Sequence, residues 1–364
     1  MNTQCHRPLR RGLYATLAAV FSLAVCASTH KAAAQQQPQN DKPQTAAPAA
    51  PAPPSATENQ ATPPTQRTPP SSSRRSGASG GADEQININS DLISLTVTVT
   101  DLYGRYVTGL NKNAFAILDD KLPQEITFFS DEDAPVSVGV VFDVSGSMGG
   151  DKIQHAREAL KRFIDTSHES DEYFLVGFNS RAQLLLNRTR NGDAVLDKLT
   201  FVQTKGQTAL YDACYLGVEK VARGTHPKRA LLLISDGQDN SSRYTFNELR
   251  RLLKESDVTI YSIGILGAGD ASSSFGVGGQ AILTELSGVS GGKAFFPNTS
   301  AEMDEIFERI ALELRHQYSI GYKPSNFVND GKYHRVKIKI TPPRGLPRLS
   351  VRSKEGYYAI ANPR

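Results

Sequence analysis

Two stretches constrain the fold more than any others: VSVGVVFDV at 136–144 and RALLLISD at 229–236 are apolar at nearly every position. A strand with one wet face alternates apolar and polar residues, so unbroken runs of this length belong to strands covered on both faces. Each is followed by a longer segment with helical spacing. The same rhythm continues along the chain, with strands expected at 136–143, 173–178, 229–235, 258–265 and 293–296. Helices are expected at about 151–167, 208–222, 245–256, 280–288 and 300–315. Strand and helix in strict alternation give an α/β fold, a doubly wound and mostly parallel sheet with helices on both faces. RAQLLL at 181–186 reads as an antiparallel edge strand.

The flanking segments have a different period. In LISLTVTVTD (92–101), Ile93, Leu95, Val97 and Val99 alternate with hydroxyl residues, as on a half-buried strand. AFAILDDKLPQEITFF adds two short strands around an acidic turn. QYSIGYKP, YHRVKIKIT and LSVRSKEGYYA do the same near the other end, the second following an Asp330-Gly331 turn. Neither group has enough strands to cover its own apolar face. The expected arrangement is one β-sandwich built from both β segments, 85–133 and 316–364, with the α/β domain (134–315) inserted between them.

The first 84 residues read as export and spacer. Residues 1–34 carry Arg7, Arg10, Arg11 and Lys31 and no acid, with an apolar stretch too short to span a bilayer, which is the shape of a secretory signal. Cleavage after Ala27 or Ala34 fits small-residue rules. Acylation at Cys26 and an uncleaved anchor are the alternatives, and Val25 is bulky for an acylation site. Residues 35–84 are rich in Pro, Ala, Gln, Ser and Gly, with too little apolar surface to offset ordering entropy, so they form a disordered tether. The net charge of +4 equals that of the leader, which leaves the remainder neutral and gives nucleic acid no support as a partner. Cys214 is the one cysteine beyond the leader, so no internal disulfide forms there, and its setting in ALYDACYLGVEKVA makes it a buried thiol. The expected location is outside the cytoplasm: periplasmic, cell-surface or secreted.

Ligands of a doubly wound sheet bind beyond the carboxyl ends of its strands. Three polar pieces fall there: DVSGSM with Asp143, Ser145 and Ser147; Thr208 in KGQTALYDA; and Asp236 in SDG. Two carboxylates and three hydroxyls are hard oxygen donors suited to Mg²⁺, Mn²⁺ or Ca²⁺. They underfill an octahedron, leaving a position open to an acidic side chain of another molecule. Two other readings stand beside a metal site: a serine nucleophile on a strand-to-helix turn, and serines that cap the next helix. Against the nucleophile, the Gly-x-Ser-x-Gly pattern is absent, and none of His155, His168, His226, His316 and His334 is placed as its base. Asp239 reads as a solvated or turn-forming acid. GILGAGDAS lacks the third glycine of a dinucleotide fingerprint, and SSSFGVGGQ after it reads as a flexible loop. Arg335, Lys337 and Lys339 share one strand face, a wet face or an anionic-polymer contact.

In order and placement, DVSGSM, the Thr208 loop and SDG resemble the metal-ion-dependent adhesion site of von Willebrand factor A domains. The resemblance covers about residues 134–315, and the β flanks resemble those of exported A-domain-related proteins of acidobacteria. It implies Ser145, Ser147 and Thr208 as hydroxyl ligands, with Asp143 and Asp236 binding directly or through water, and Mg²⁺ as the first candidate ion. It further implies a non-enzymatic adhesion module whose cation bridges to an acidic side chain of a protein partner. An envelope scaffold with a stabilising metal and an unrecognised hydrolase are the alternatives.

Overall fold

A computed structural model describes residues 92–267 and 273–359. The expected signal (1–34) and tether (35–84) lie outside the described residues. The described residues start with β1 (Ile93–Thr100), β2 (Phe115–Asp119), β3 (Leu122–Gln124) and β4 (Ile126–Ser130). The chain then alternates through β5 (Val136–Asp143), α1 (Asp151–Thr166), β6 (Glu172–Phe178), β7 (Ala182–Thr189), α2 (Asp193–Thr200), α3 (Leu210–Ala222) and β8 (Lys228–Ser235). After α4 (Phe246–Glu255), β9 (Thr259–Gly264), α5 (Ser274–Val289), β10 (Lys293–Phe295) and α6 (Ser300–Arg315), it returns to strands. These are β11 (Tyr318–Tyr322), β12 (Tyr333–Ile340), β13 (Ser350–Arg352) and β14 (Gly356–Tyr358).

The central sheet has the order β10-β9-β8-β5-β6-β7. Its pairs are parallel except β6 with β7, so the antiparallel edge strand forms as expected. All eight residues of β5 and all seven of β6 are buried, which is why their sequences carry no alternation. On one face α1, α2 and α6 cover Val138, Val140 and Phe142 with Leu160, Phe163, Val195 and Phe307. On the other, α3, α4 and α5 cover Val141, Leu231 and Leu233 with Val218, Leu253 and Leu283. Each such large apolar side chain contributes about 1.5–3 kcal/mol by leaving water.

Two elements depart from the pattern. The helix α2 was not legible, because Val195 and Leu199 are its only buried residues and eight residues carry little periodicity. SSSFGVGGQ is not a flexible loop: α5 starts at Ser274, capped by the Ser273 side chain, which accepts from Gly276 N, six residues before the expected start. The glycines lower helix propensity there, and tertiary contact overrides it.

The strands outside this sheet form two four-stranded antiparallel sheets, β13-β1-β11-β4 and β14-β12-β2-β3. Their inner faces share one core, with Leu95, Val97 and Tyr318 from the first and Phe115, Ile117 and Val336 from the second. The acidic turn gives three strands rather than two: Asp120 and Lys121 take positive φ (44° and 72°) to close the β2–β3 hairpin, and β4 crosses to the other sheet. The junction with the α/β part is polar and buried. Glu313 of α6, 2% exposed, accepts from Thr98 Oγ1 (2.9 Å), Tyr106 Oη (3.1 Å) and Tyr261 Oη (2.7 Å), and pairs with Arg352.

Candidate metal centre

β5 and β8 are parallel neighbours, Phe142 opposite Ile234, so Asp143 and the residues after Ser235 emerge at the same edge. Beyond β5 the chain turns through a short 3-10 segment, Gly146–Met148, before α1 begins at Asp151. Neither serine caps a helix: the N-cap of α1 is Gly150, and Ser145 makes no side-chain cap bond to the 3-10 turn. The helix-cap reading therefore fails. The Ser145 and Ser147 hydroxyls lie 3.0 Å apart instead.

Backbone bonds tie the three loops together. Lys205 N donates to Val144 O (3.0 Å) and Gly146 N to Gly206 O (3.1 Å), which anchors the Thr208 loop against the serine loop. Asn240 N and Ser241 N donate to Thr208 O, while Thr208 N donates to Asn240 Oδ1 (2.9 Å), which joins it to the loop after Asp236. Asp239 Oδ1 accepts from Leu210 N (2.8 Å) and Ser242 Oγ (2.6 Å), so this acid satisfies the start of α3.

Asp143, Ser145, Thr208 and Asp236 are each 4% exposed or less, whereas Ser147 is exposed, so the cluster opens to solvent on the Ser147 side. Asp143 Oδ1 accepts from Ser145 N (2.8 Å) and Oδ2 from Ser235 Oγ (2.6 Å), which in turn accepts from Gly237 N (3.1 Å). Burial pushes the Asp143 carboxyl from 3.8 up to about 6, against the pull of those hydrogen bonds and with the negative charge of Asp236 adding to the rise. Asp236 Oδ1 accepts from Gln238 N (3.2 Å). Two acids crowded in one buried corner beside hydroxyls form a donor set that fits a hard divalent cation.

Sequence reading missed three contributors: Ser235, which aims Asp143; Asn240, which holds the Thr208 loop; and the start of α5. Gly279 packs so closely on the Asp236–Gly237 turn that a Cβ there would lie 2.4 Å from Asp236 O, and one on Gly237 (φ +83°) would lie 2.5 Å from Gly279 O. The glycine pair in GVGGQ was the available signal, since glycine inside a helix often marks a close backbone approach. Cys214 is fully buried, as expected, and burial pushes its thiol pKa up. The described residues include no helix long and apolar enough to cross a membrane.

Residues 137–309 match the family model described as von Willebrand factor type A domain. Human inter-alpha-trypsin inhibitor heavy chain H4 is 25% identical over 213 residues, which cover 54% of this chain and 22% of that one. An uncharacterised Synechocystis protein is 25% identical over 138 residues, 37% of this chain and 33% of its own. The chain thus spans a third or less of the length of these relatives. A solved von Willebrand factor type A protein from Catenulispora acidiphila aligns over 73% of each chain at 15% identity, with a TM-score of 0.42. Residues 137–309 are a von Willebrand factor type A domain, and so belong to a family of generally non-catalytic modules that bind protein ligands and typically a divalent cation.

Proposed function

We propose that this chain is an exported, metal-dependent protein-binding module, in which Asp143, Ser145, Ser147, Thr208 and Asp236 hold a divalent cation, Mg²⁺ first and Mn²⁺ or Ca²⁺ as alternatives. When bound, that cation supplies an open coordination position for a carboxylate of a partner protein. The observation that carries the reading is the pair of buried acids at one strand edge, with Asp143 held above its ordinary range by burial and by Asp236. Such a pair is destabilising when ionised unless positive charge joins it.

The chain's own residues each have a task in this reading. Ser235 and Ser145 N fix the Asp143 carboxylate through its two oxygens. The Ser145 and Ser147 hydroxyls form the lip, with Ser147 on the solvent side where a partner would arrive. The Asn240 bonds hold Thr208 and the Asp236 loop as one piece. The Ser147 hydroxyl bonds to Ser145 Oγ rather than to a base, which gives the hydrolase reading no support.

The test is retention of envelope proteins on the immobilised chain in Mg²⁺ or in chelator, with Asp143→Ala and Thr208→Ala alongside. Partners held in Mg²⁺, released by chelator and lost in both variants are the expected result. Equal retention in all conditions would refute cation bridging and leave a constitutive scaffold.

A further inference from the structure

A second group of donors lies in the sandwich, apart from the strand edge just described. Asp119, Asp120 and His334 each offer one ligand atom, and these atoms all lie within 4.8 Å of one another. Asp119 ends β2, Asp120 opens the β2–β3 turn, and His334 is the second residue of β12, which pairs with β2. The fold thus joins residues from opposite flanks of the α/β domain.

Both carboxylates are turned inward by hydrogen bonds on their far side, and the imidazole is held by ring stacking. Asp119 Oδ2 accepts from Tyr322 Oη and Tyr357 Oη, both at 2.9 Å. Asp120 Oδ1 accepts from Arg335 N at 2.9 Å. The His334 ring stacks on Tyr357 with centroids 5.3 Å apart; its Nε2 is buried without a hydrogen-bond partner, Asp330 Oδ1 lying 3.8 Å away. What remains points into one space: His334 Nδ1 lies 3.0 Å from Asp120 Oδ2 and 4.0 Å from Asp119 Oδ1. Asp119 is 5% exposed and its Oδ1 has no hydrogen-bond partner, so a buried carboxylate oxygen is aimed into the cluster unsatisfied.

We propose that Asp119, Asp120 and His334 form a zinc site that clips the β2–β3 turn to β12. Donors about 2.0–2.2 Å from a common ion are separated by roughly 3–4 Å, close to the spacing found. Hydroxyls on the remote oxygen of a ligating carboxylate, as Tyr322 and Tyr357 provide for Asp119, are the outer contacts such a centre needs. An imidazole with two carboxylates favours Zn²⁺ over Mg²⁺, which separates this site chemically from the all-oxygen set at Asp143. Asp120, with half its side chain exposed, leaves a side open for water as the fourth ligand. The clip ties β2, before the α/β domain, to β12, after it.

The experiment is calorimetric titration of Zn²⁺ into the chelator-stripped full chain carrying Asp143→Ala, which silences the other centre. His334→Gln and Asp120→Asn are added separately; Asp120→Asn keeps the fold, since asparagine tolerates the positive φ at this turn. One saturable site, weakened about tenfold or more by either change, is expected. Substituted Co²⁺ should give a visible absorption band that both changes abolish. No saturable Zn²⁺ uptake, or equal uptake in all three proteins, would overturn the proposal and leave the cluster as a protonated histidine between two carboxylates.

Discussion

Replacing Asp143 by asparagine should stabilise the metal-free protein while removing its response to cations. Burial keeps the Asp143 proton on to a higher pH in the folded chain (about 6) than the ordinary 3.8 of the unfolded chain. Unfolding therefore releases a proton between those values, and stability falls as pH rises through that window. At about 1.4 kcal/mol per pKa unit, the full penalty above pH 6 is about 3 kcal/mol; the side chain is fully buried, so solvent does not screen it away. Asparagine carries no charge, can still accept from Ser145 N and can donate to Ser235 Oγ. Urea unfolding in chelator from pH 4 to pH 8 should show the Asp143→Asn variant equal to wild type near pH 4 and about 3 kcal/mol more stable near pH 7.5. Excess Mg²⁺ should raise wild-type stability alone. A difference that is flat with pH, or a variant less stable at pH 7.5, would refute the picture of a strained carboxylate awaiting a cation.

Gly279→Ala should weaken Mg²⁺ binding although it alters no ligand, because its Cβ would collide with Asp236 O and displace that loop; titration should show a loss of about tenfold or more, and unchanged affinity would mean the loop yields freely. Thr208→Ala should lower cation affinity by a similar factor with stability in chelator within about 1 kcal/mol of wild type, measured by titration and urea unfolding. Arg352→Met leaves the buried Glu313 carboxylate without its ion-pair partner and should cost about 3 kcal/mol in urea unfolding; a loss under 1 kcal/mol would show that the three hydroxyl donors suffice. Cys214 should resist a thiol reagent in the folded protein and react at once in denaturant.

Much of the α/β part was legible because full burial writes itself into composition. β5 and β8 have no polar alternation, and α6, expected at about 300–315, forms over Ser300–Arg315. The start of α5 was not legible, since the glycines that look like a loop are there for a backbone contact with a turn some forty positions earlier. The five candidate ligands could be named because four sit at or just after strand ends in short polar motifs and Thr208 precedes a helix. Their supports could not: Ser235 is one more small polar residue at a strand end, and Asn240 acts through Thr208. Asp119 and His334 meet only through the register of β2 with β12, and Glu313 draws donors from β1, β9 and the loop after β1. Such contacts leave no local period in the sequence, and only the folded chain displays them.

The central claim is that Asp143 and its neighbours hold a cation, and its most direct test is calorimetric titration of Mg²⁺ into the chelator-stripped chain beside Asp143→Ala. Saturable binding at one site in the wild type, absent in the variant, is the predicted result. Identical heats from the two proteins would contradict the claim and make the strand-edge acids a feature of the loop alone.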